Sequence, residues 1–146
     1  FGEETPKYIT IKLEERDKIF GLDKVDKSKH FYVVEGPLDS LFIDNCLAVG
    51  GSDFDRLEGD FTVIFDNEPR NKEINKQIEK MIEKGCSIVL WPEQVEEKDI
   101  NDMILSGMSK EEVQEIITQN TFSGVGAKLR FAEGRKIGGY YLPTDQ

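Results

Sequence analysis

The sequence predicts an α/β protein: a mostly parallel sheet of about four strands with helices on both faces. Two observations predict it. Short apolar runs alternate along the chain with segments of helical periodicity, and each run ends at a turn-forming or acidic residue. Strands buried on both faces are continuously apolar, and helical crossovers join parallel ones. The 146 residues, 38% of them hydrophobic, suffice for one domain with a sizeable core.

An edge strand is predicted ahead of these runs, because residues 8–13 alternate between apolar and polar types. Residues 14–29 are charged and rich in turn formers, which indicates a surface connection. The four core strands are then predicted at residues 31–34, 46–49, 61–65 and 86–91.

Helices are predicted between and after these strands. Leu38, Leu41 and Phe42 have helical spacing, which predicts a helix over residues 38–45. A longer helix follows Asn71 as its N-cap and ends at Gly85. Its apolar face comprises Ile74, Ile78, Met81 and Ile82.

The last third of the chain is predicted to be helical with a short tail. Ser109 and Glu112 have the spacing of a capping box ahead of Val113. A final helix is predicted within residues 126–135, and residues 137–142 are interpreted as a strand or tail.

Composition excludes several classes of protein. Mean hydropathy is −0.47, and no apolar run approaches the ~20 residues of a membrane helix. No export leader opens the chain, and the two cysteines, Cys46 and Cys86, are too few for a disulfide framework, so a reduced cytoplasmic location is expected. A start at Phe1 suggests a fragment. The net charge of −10 argues against a general electrostatic grip on nucleic acid, although not against an enzyme whose acidic residues hold metal ions.

Acidic residues follow three of the four predicted core strands. Glu35 follows the first, with Asp39 one helical turn later; Asp66 and Glu68 follow the third; and Asp99 lies beyond the fourth. The carboxyl ends of parallel strands meet at one edge of a sheet, where ligands bind. Clustered carboxylates suit Mg²⁺ or Mn²⁺. Any one of these residues alone is more typical of a solvated loop or a helix N-terminus, but the set favours a metal site.

The same residues carry a resemblance to a known family. Residues 33–41, Val-Val-Glu-Gly-Pro-Leu-Asp-Ser-Leu, resemble the strand–Glu-Gly-x-x-Asp–helix signature of Toprim domains, the catalytic fold of DnaG-type primases and topoisomerases. Residues 65–68 are similar to the family's Asp-x-Asp motif, and residues 98–102 to the Lys-Asp-Pro-Asp-Glu segment of primases. Residues 19–22 and 50–52 resemble two further primase elements. Residues 121–131 look like the primases of large tailed bacteriophages.

The resemblance implies roles for individual residues. Glu35 would be the general base or a metal ligand, and Asp66 and Glu68 would hold divalent ions, Mg²⁺ or Mn²⁺, with Asp39 and Asp99 completing the acidic site. Lys98 would bind nucleotide phosphates, and Arg70 offers a further phosphate contact. Three departures from the family pattern stand at this site: glutamate in place of aspartate at position 68, and Pro69 and Asn101 in the motifs around it.

The implied function is that of the catalytic core of a DNA primase, which makes RNA primers by metal-dependent nucleotidyl transfer. The implied partners are a single-stranded DNA template, ribonucleoside triphosphates, a replicative helicase and a zinc-binding domain of the parent chain, in the host cytoplasm if phage-encoded. Residues 1–30 would precede a Toprim core at 31–108, with a helical extension at 109–146. The alternatives are a Toprim nuclease and a catalytically idle scaffold.

Two other features have simpler interpretations. Lys72, Lys76 and Lys80 recur every four residues, as on the solvated face of a helix; contact with a template is the alternative. His30, the single histidine, is interpreted as structural.

Overall fold

The computed structural model describes residues 19–21, 24–26, 28–49 and 59–136, which form a six-stranded sheet and five helices. The strands are β1 (Ile19–Phe20), β2 (Phe31–Val34), β3 (Cys46–Val49), β4 (Phe61–Ile64), β5 (Ser87–Val89) and β6 (Thr121–Phe122). The helices are α1 (Pro37–Ser40), α2 (Lys72–Glu83), α3 (Ile100–Leu105), α4 (Lys110–Gln119) and α5 (Gly124–Lys136).

The strand order across the sheet is β1-β3-β2-β4-β5-β6. The four central strands are parallel, and the two short outer strands run antiparallel to their neighbours. In the centre, Val33 of β2 lies opposite Leu47 of β3 and Val63 of β4. The segments that follow β2, β4 and β5 therefore leave the sheet at the same edge.

Helices cover both faces of this sheet, as predicted. Every residue of β3 and β4 is buried, which requires cover on each face. Helices α2 and α5 pack against each other and against β5, whereas α1 packs on β2 and β3 and contacts α3. Gln114 of α4 donates a hydrogen bond to the Tyr32 hydroxyl over 3.4 Å. The predicted fold class is confirmed.

The two predicted helix starts are confirmed by their caps. The Asn71 side chain accepts hydrogen bonds from the backbone N–H groups of Glu73 and Ile74 at the start of α2. Ser109 and Glu112 form the reciprocal capping box at the start of α4. The predicted apolar face of α2 is buried, and Gly85 follows the helix with φ +88°, a conformation that favours glycine.

The helix predicted over residues 38–45 is wrong beyond Ser40. Leu38 and Leu41, whose spacing predicted it, are 60% and 52% exposed, and the buried residues of α1 are Asp39 and Ser40. Residues 41–45 form turns instead, and Asn45 stands last among them with φ +53°. The Asn45 side chain then bonds to the backbone of residues 26 and 30.

Three elements were not predicted: β1 lies in what was interpreted as a surface connection, and β6 and α3 are too short for periodicity to reveal. The predicted strand at residues 8–13, the loop at 50–52 and the tail at 137–142 lie outside the described residues. Among the described helices, none combines the length and apolar character needed to cross a bilayer.

Candidate metal centre

Three aspartates from different parts of the chain converge at the carboxyl edge of the sheet. Asp39 lies on α1 just after β2, Asp66 follows β4, and Asp99 lies in the segment between β5 and α3. One carboxylate oxygen from each lies within 4.8 Å of the other two. We refer to these three residues as the aspartate triad.

Asp39 is held at this edge by its backbone surroundings. It is 6% exposed, and its Oδ1 accepts a hydrogen bond of 2.7 Å from the backbone N–H of Asn101 in α3. A Cβ atom at Gly36 would lie 3.2 Å from Asp39 Oδ2, so the glycine gives this carboxylate room. The Glu-Gly-x-x-Asp spacing therefore brings an acidic side chain, and not an apolar one, against the sheet edge.

Asp99 belongs to the triad and also begins α3. Its Oδ1 accepts a hydrogen bond of 2.8 Å from the backbone N–H of Asp102, as an N-cap does. Asp102, the next acidic residue along the chain, is exposed and is not among the triad carboxylates. This hydrogen bond fixes the orientation of the Asp99 side chain.

Asn67 fastens the loop after β4 to the segment before Asp99. Its side-chain amide donates to the carbonyl oxygens of Val95 (2.9 Å) and Glu97 (3.0 Å). Its backbone N–H donates to the carbonyl of Lys98 over 2.6 Å. Sequence analysis assigned no role to Asn67, since the middle residue of an Asp-x-Asp motif carries no chemical signature of its own.

Glu68 lies outside the triad, paired with two other side chains. Lys98 Nζ is 3.5 Å from Glu68 Oε2, and Asn71 Nδ2 donates to Glu68 Oε1 over 2.9 Å. Lys98 is 60% exposed and Glu68 30%. Arg70 is exposed in the turn that leads to α2. Both basic side chains are thus exposed to solvent, and their roles toward phosphate remain predictions.

Glu35 lies beside the triad without being one of its three carboxylates. Burial raises the pKa of Glu35, and the charges of Glu68 and Asp39 raise it further, whereas Lys98 lowers it. Glu35 is therefore close enough to interact with both acidic groups of the site. Its role as base or ligand remains a prediction.

The aspartate triad places three carboxyl groups together in a partly buried site. Burial, followed by the charges of the surrounding carboxylates, raises the pKa of Asp66 to about 7. Burial also raises the pKa of Asp39 to about 6, although the Asn101 N–H opposes the shift. A divalent cation relieves such repulsion, and oxygen donors at this spacing suit Mg²⁺ or Mn²⁺. The residues present therefore fit a divalent metal.

Trp91 is hydrogen-bonded to the backbone next to the aspartate triad. Its indole N–H donates to the carbonyl oxygen of Phe65 over 2.8 Å, and both residues are buried. Phe65 immediately precedes Asp66, so the only tryptophan of the chain is bonded to the backbone next to a triad residue.

Comparison with known proteins relates the chain to a DNA primase. No protein-family model matches the chain. The DNA primase of Enterobacteria phage T4 is 37% identical to it over 138 residues, which are 90% of this chain and 40% of that protein. The chain thus spans less than half the length of this relative. Over most of its length, the chain is related in sequence to part of a phage DNA primase.

Proposed function

We propose that this chain is the Toprim-type catalytic core of a DNA primase, which joins ribonucleotides on a DNA template by divalent-metal-dependent nucleotidyl transfer. The observation that carries the proposal is the convergence of Asp39, Asp66 and Asp99 at the carboxyl edge of the sheet. The sequence similarity to a DNA primase supports the same function. Carboxylates on neighbouring strands of a parallel sheet are suited to hold ions against a phosphate chain.

The triad would hold the ions, with Glu35 and Glu68 beside it. Bound Mg²⁺ or Mn²⁺ would supply activation of the 3′-hydroxyl and neutralisation of the charge that gathers on the transferred phosphoryl group. Glu35 would accept the proton of the attacking hydroxyl, because its raised pKa makes it a better base than an ordinary glutamate.

Lys98 and Arg70 would bind the triphosphate. Lys98 Nζ is exposed and paired with Glu68 over 3.5 Å, an interaction weak enough for a phosphate to replace. When Lys98 moves to a phosphate, the Glu68 carboxylate is free to approach an ion. Substrate binding and completion of the acidic site would then be coupled through one side chain.

Template recognition would depend on other parts of a longer protein. The chain carries a net charge of −10, which opposes binding of a polyanion. A zinc-binding domain of the parent chain and a replicative helicase are the partners that we propose for this task. The single-stranded DNA template and the ribonucleoside triphosphates would meet at the triad.

Metal binding and nucleotidyl transfer, measured on the same variants, test the proposal. We would titrate Mn²⁺ into the wild type, Asp66→Asn and the control Asp44→Asn, which alters an exposed carboxylate in the turn before β3. The electron paramagnetic resonance signal of free Mn²⁺ reports binding. We expect Asp66→Asn to abolish tight binding and Asp44→Asn to leave it unchanged.

Incorporation of ribonucleotides on a single-stranded DNA template is then measured for the chain and for longer proteins that contain it. We expect metal-dependent oligoribonucleotides from the wild type and Asp44→Asn, and none from Asp66→Asn. Nicking of DNA without nucleotides, lost in Asp66→Asn, would instead establish a nuclease. If Asp66→Asn does not alter Mn²⁺ binding, the result would favour the catalytically idle scaffold over an enzyme.

A further inference from the structure

The structure assigns Asn67 as the positioning residue that fastens two loops together and so preforms the aspartate triad. This inference rests on the proposed function and deepens it, because it names the residue that builds the metal site. Asn67 lies between Asp66 and Glu68, and its side-chain amide donates to backbone carbonyl groups.

The two loops that Asn67 joins leave neighbouring strands. Asp66 stands two residues beyond the end of β4, whereas Asp99 stands ten residues beyond the end of β5. A segment of this length has many conformations, and most of them would leave Asp99 away from Asp66. A specific tie is therefore needed to bring the two carboxylates within 4.8 Å.

Asn67 supplies that tie with three hydrogen bonds. Its amide donates to the carbonyls of Val95 and Glu97, and its backbone N–H donates to the carbonyl of Lys98. The last of these carbonyls belongs to the residue directly before Asp99. The segment is anchored a second time where Trp91 bonds to the carbonyl of Phe65.

Few other side chains make this connection. Aspartate has the size of asparagine but no hydrogen to donate to two carbonyl groups, and its charge would repel the triad. Serine has one donor, and alanine has none. Ligand sets held by such supporting hydrogen bonds bind metal more tightly than free ones, because the geometry is fixed before the ion arrives.

Tb³⁺, an oxygen-seeking ion that substitutes for divalent cations, is a suitable probe. The single tryptophan of the chain lies next to the site, so excitation of Trp91 reports Tb³⁺ bound at the triad through sensitised emission. Emission lifetimes in H₂O and D₂O also count the water molecules on the ion. This number changes when a carboxylate ligand is lost and does not depend on overall stability.

We expect Asn67→Ala to weaken Tb³⁺ binding by about 10- to 100-fold and to add at least one water molecule to the bound ion. Asn67→Ser, which keeps one donor, should fall between. Circular dichroism gives the melting temperature of each variant. Binding is then measured well below that temperature, so that every sample is folded. Added Mn²⁺ should displace Tb³⁺ and lower the sensitised emission if both ions occupy the same site.

Asn45 offers a matched control at the other edge of the sheet. Its side chain also donates to two backbone carbonyls, those of Asp26 and His30, and its φ of +53° suits glycine. Asn45→Gly should lower the melting temperature while leaving Tb³⁺ affinity and the number of bound waters unchanged.

Two results would overturn the inference, and they differ in what they imply for the proposed function. Wild-type affinity and hydration in Asn67→Ala, with a lower melting temperature, would reduce Asn67 to a structural role and leave the metal site in place. No sensitised emission from the wild type, or emission that Asp66→Asn preserves, would remove the metal site and the proposed function with it.

Discussion

Neutralising Asp66 should stabilise the metal-free protein and remove its response to metal. The pKa of Asp66 rises from 3.8 to about 7 on folding, first because the carboxyl group is buried and then because other carboxylates surround it. Since the folded-state pKa lies above the unfolded one, the unfavourable ionisation of Asp66 in the folded state costs stability as the pH rises from 3.8 to 7.

The size of this cost follows from the shift. A shift of this size would correspond to about 4 kcal/mol for a fully buried group, but Asp66 is only partly buried, so solvent screening leaves about 2 kcal/mol at pH 8, where it is ionised in both states. At pH 5 the folded carboxyl is protonated and the cost falls below about 1 kcal/mol. For a domain of this size, Asp66→Asn should then raise the metal-free melting temperature by roughly 6 °C at pH 8, and by less at pH 5.

Metal should reverse this order. Mn²⁺ at about 100 times its dissociation constant stabilises the wild type by ~2.7 kcal/mol, while Asp66→Asn gains little. Thermal unfolding by circular dichroism with EDTA, and then with Mn²⁺, measures both effects, and Asp44→Asn controls for the loss of a surface charge. If Asp66→Asn melts at or below the wild-type temperature with EDTA at pH 8, the ionised carboxylate of Asp66 does not destabilise the folded protein.

Four further substitutions separate stability from binding. Asn71→Ala and Ser109→Ala should each lose about 1 kcal/mol from a helix cap, seen in urea unfolding, but only Asn71→Ala should also weaken Mn²⁺ binding; equal binding in both variants would contradict a role for Asn71 in the site. Trp91→Phe removes the indole N–H that donates to the Phe65 carbonyl and should cost about 1 kcal/mol by the same measurement, whereas a loss within error would mean that this bond is replaced. Lys98→Met should tighten Mn²⁺ binding by up to about fivefold, because a positive charge leaves the site, yet weaken binding of a ribonucleoside triphosphate in calorimetry; a change of the same sign for both ligands would refute the exchange proposed for Lys98.

The parallel core could be predicted because each central strand is a continuous apolar run that ends at a polar residue. Residues 31–34 and 46–49 match β2 and β3, and β4 ends at Ile64, two residues before Asp66. Parallel strands bring their carboxyl ends to one edge, so the location of the acidic site also followed from the pattern. Helix caps at Asn71 and Ser109 were predictable for a different reason, since they depend on contacts within four residues.

Helix α1 could not be predicted from apolar spacing, because its buried side is polar. Leu38 and Leu41 have the spacing of a core helix, yet both are exposed, and Asp39 and Ser40 face inward. A carboxylate of the candidate metal centre thus occupies the position that periodicity would give to a leucine. Local pattern and fold disagree at this point, as is expected where a proposed metal site requires an acid at the sheet edge.

The order of acidic residues along the chain does not reveal which of their carboxylates meet in the folded structure. Glu35 and Asp39 belong to one motif, but Asp39 is the one whose carboxylate meets Asp66 and Asp99, because the first turn of α1 directs it over the sheet edge. At position 68, the additional methylene of glutamate carries the carboxylate to Asn71 and Lys98 instead. The glutamate at position 68 thus has a lysine partner, and we propose that a phosphate-bearing substrate acts on the site through this lysine.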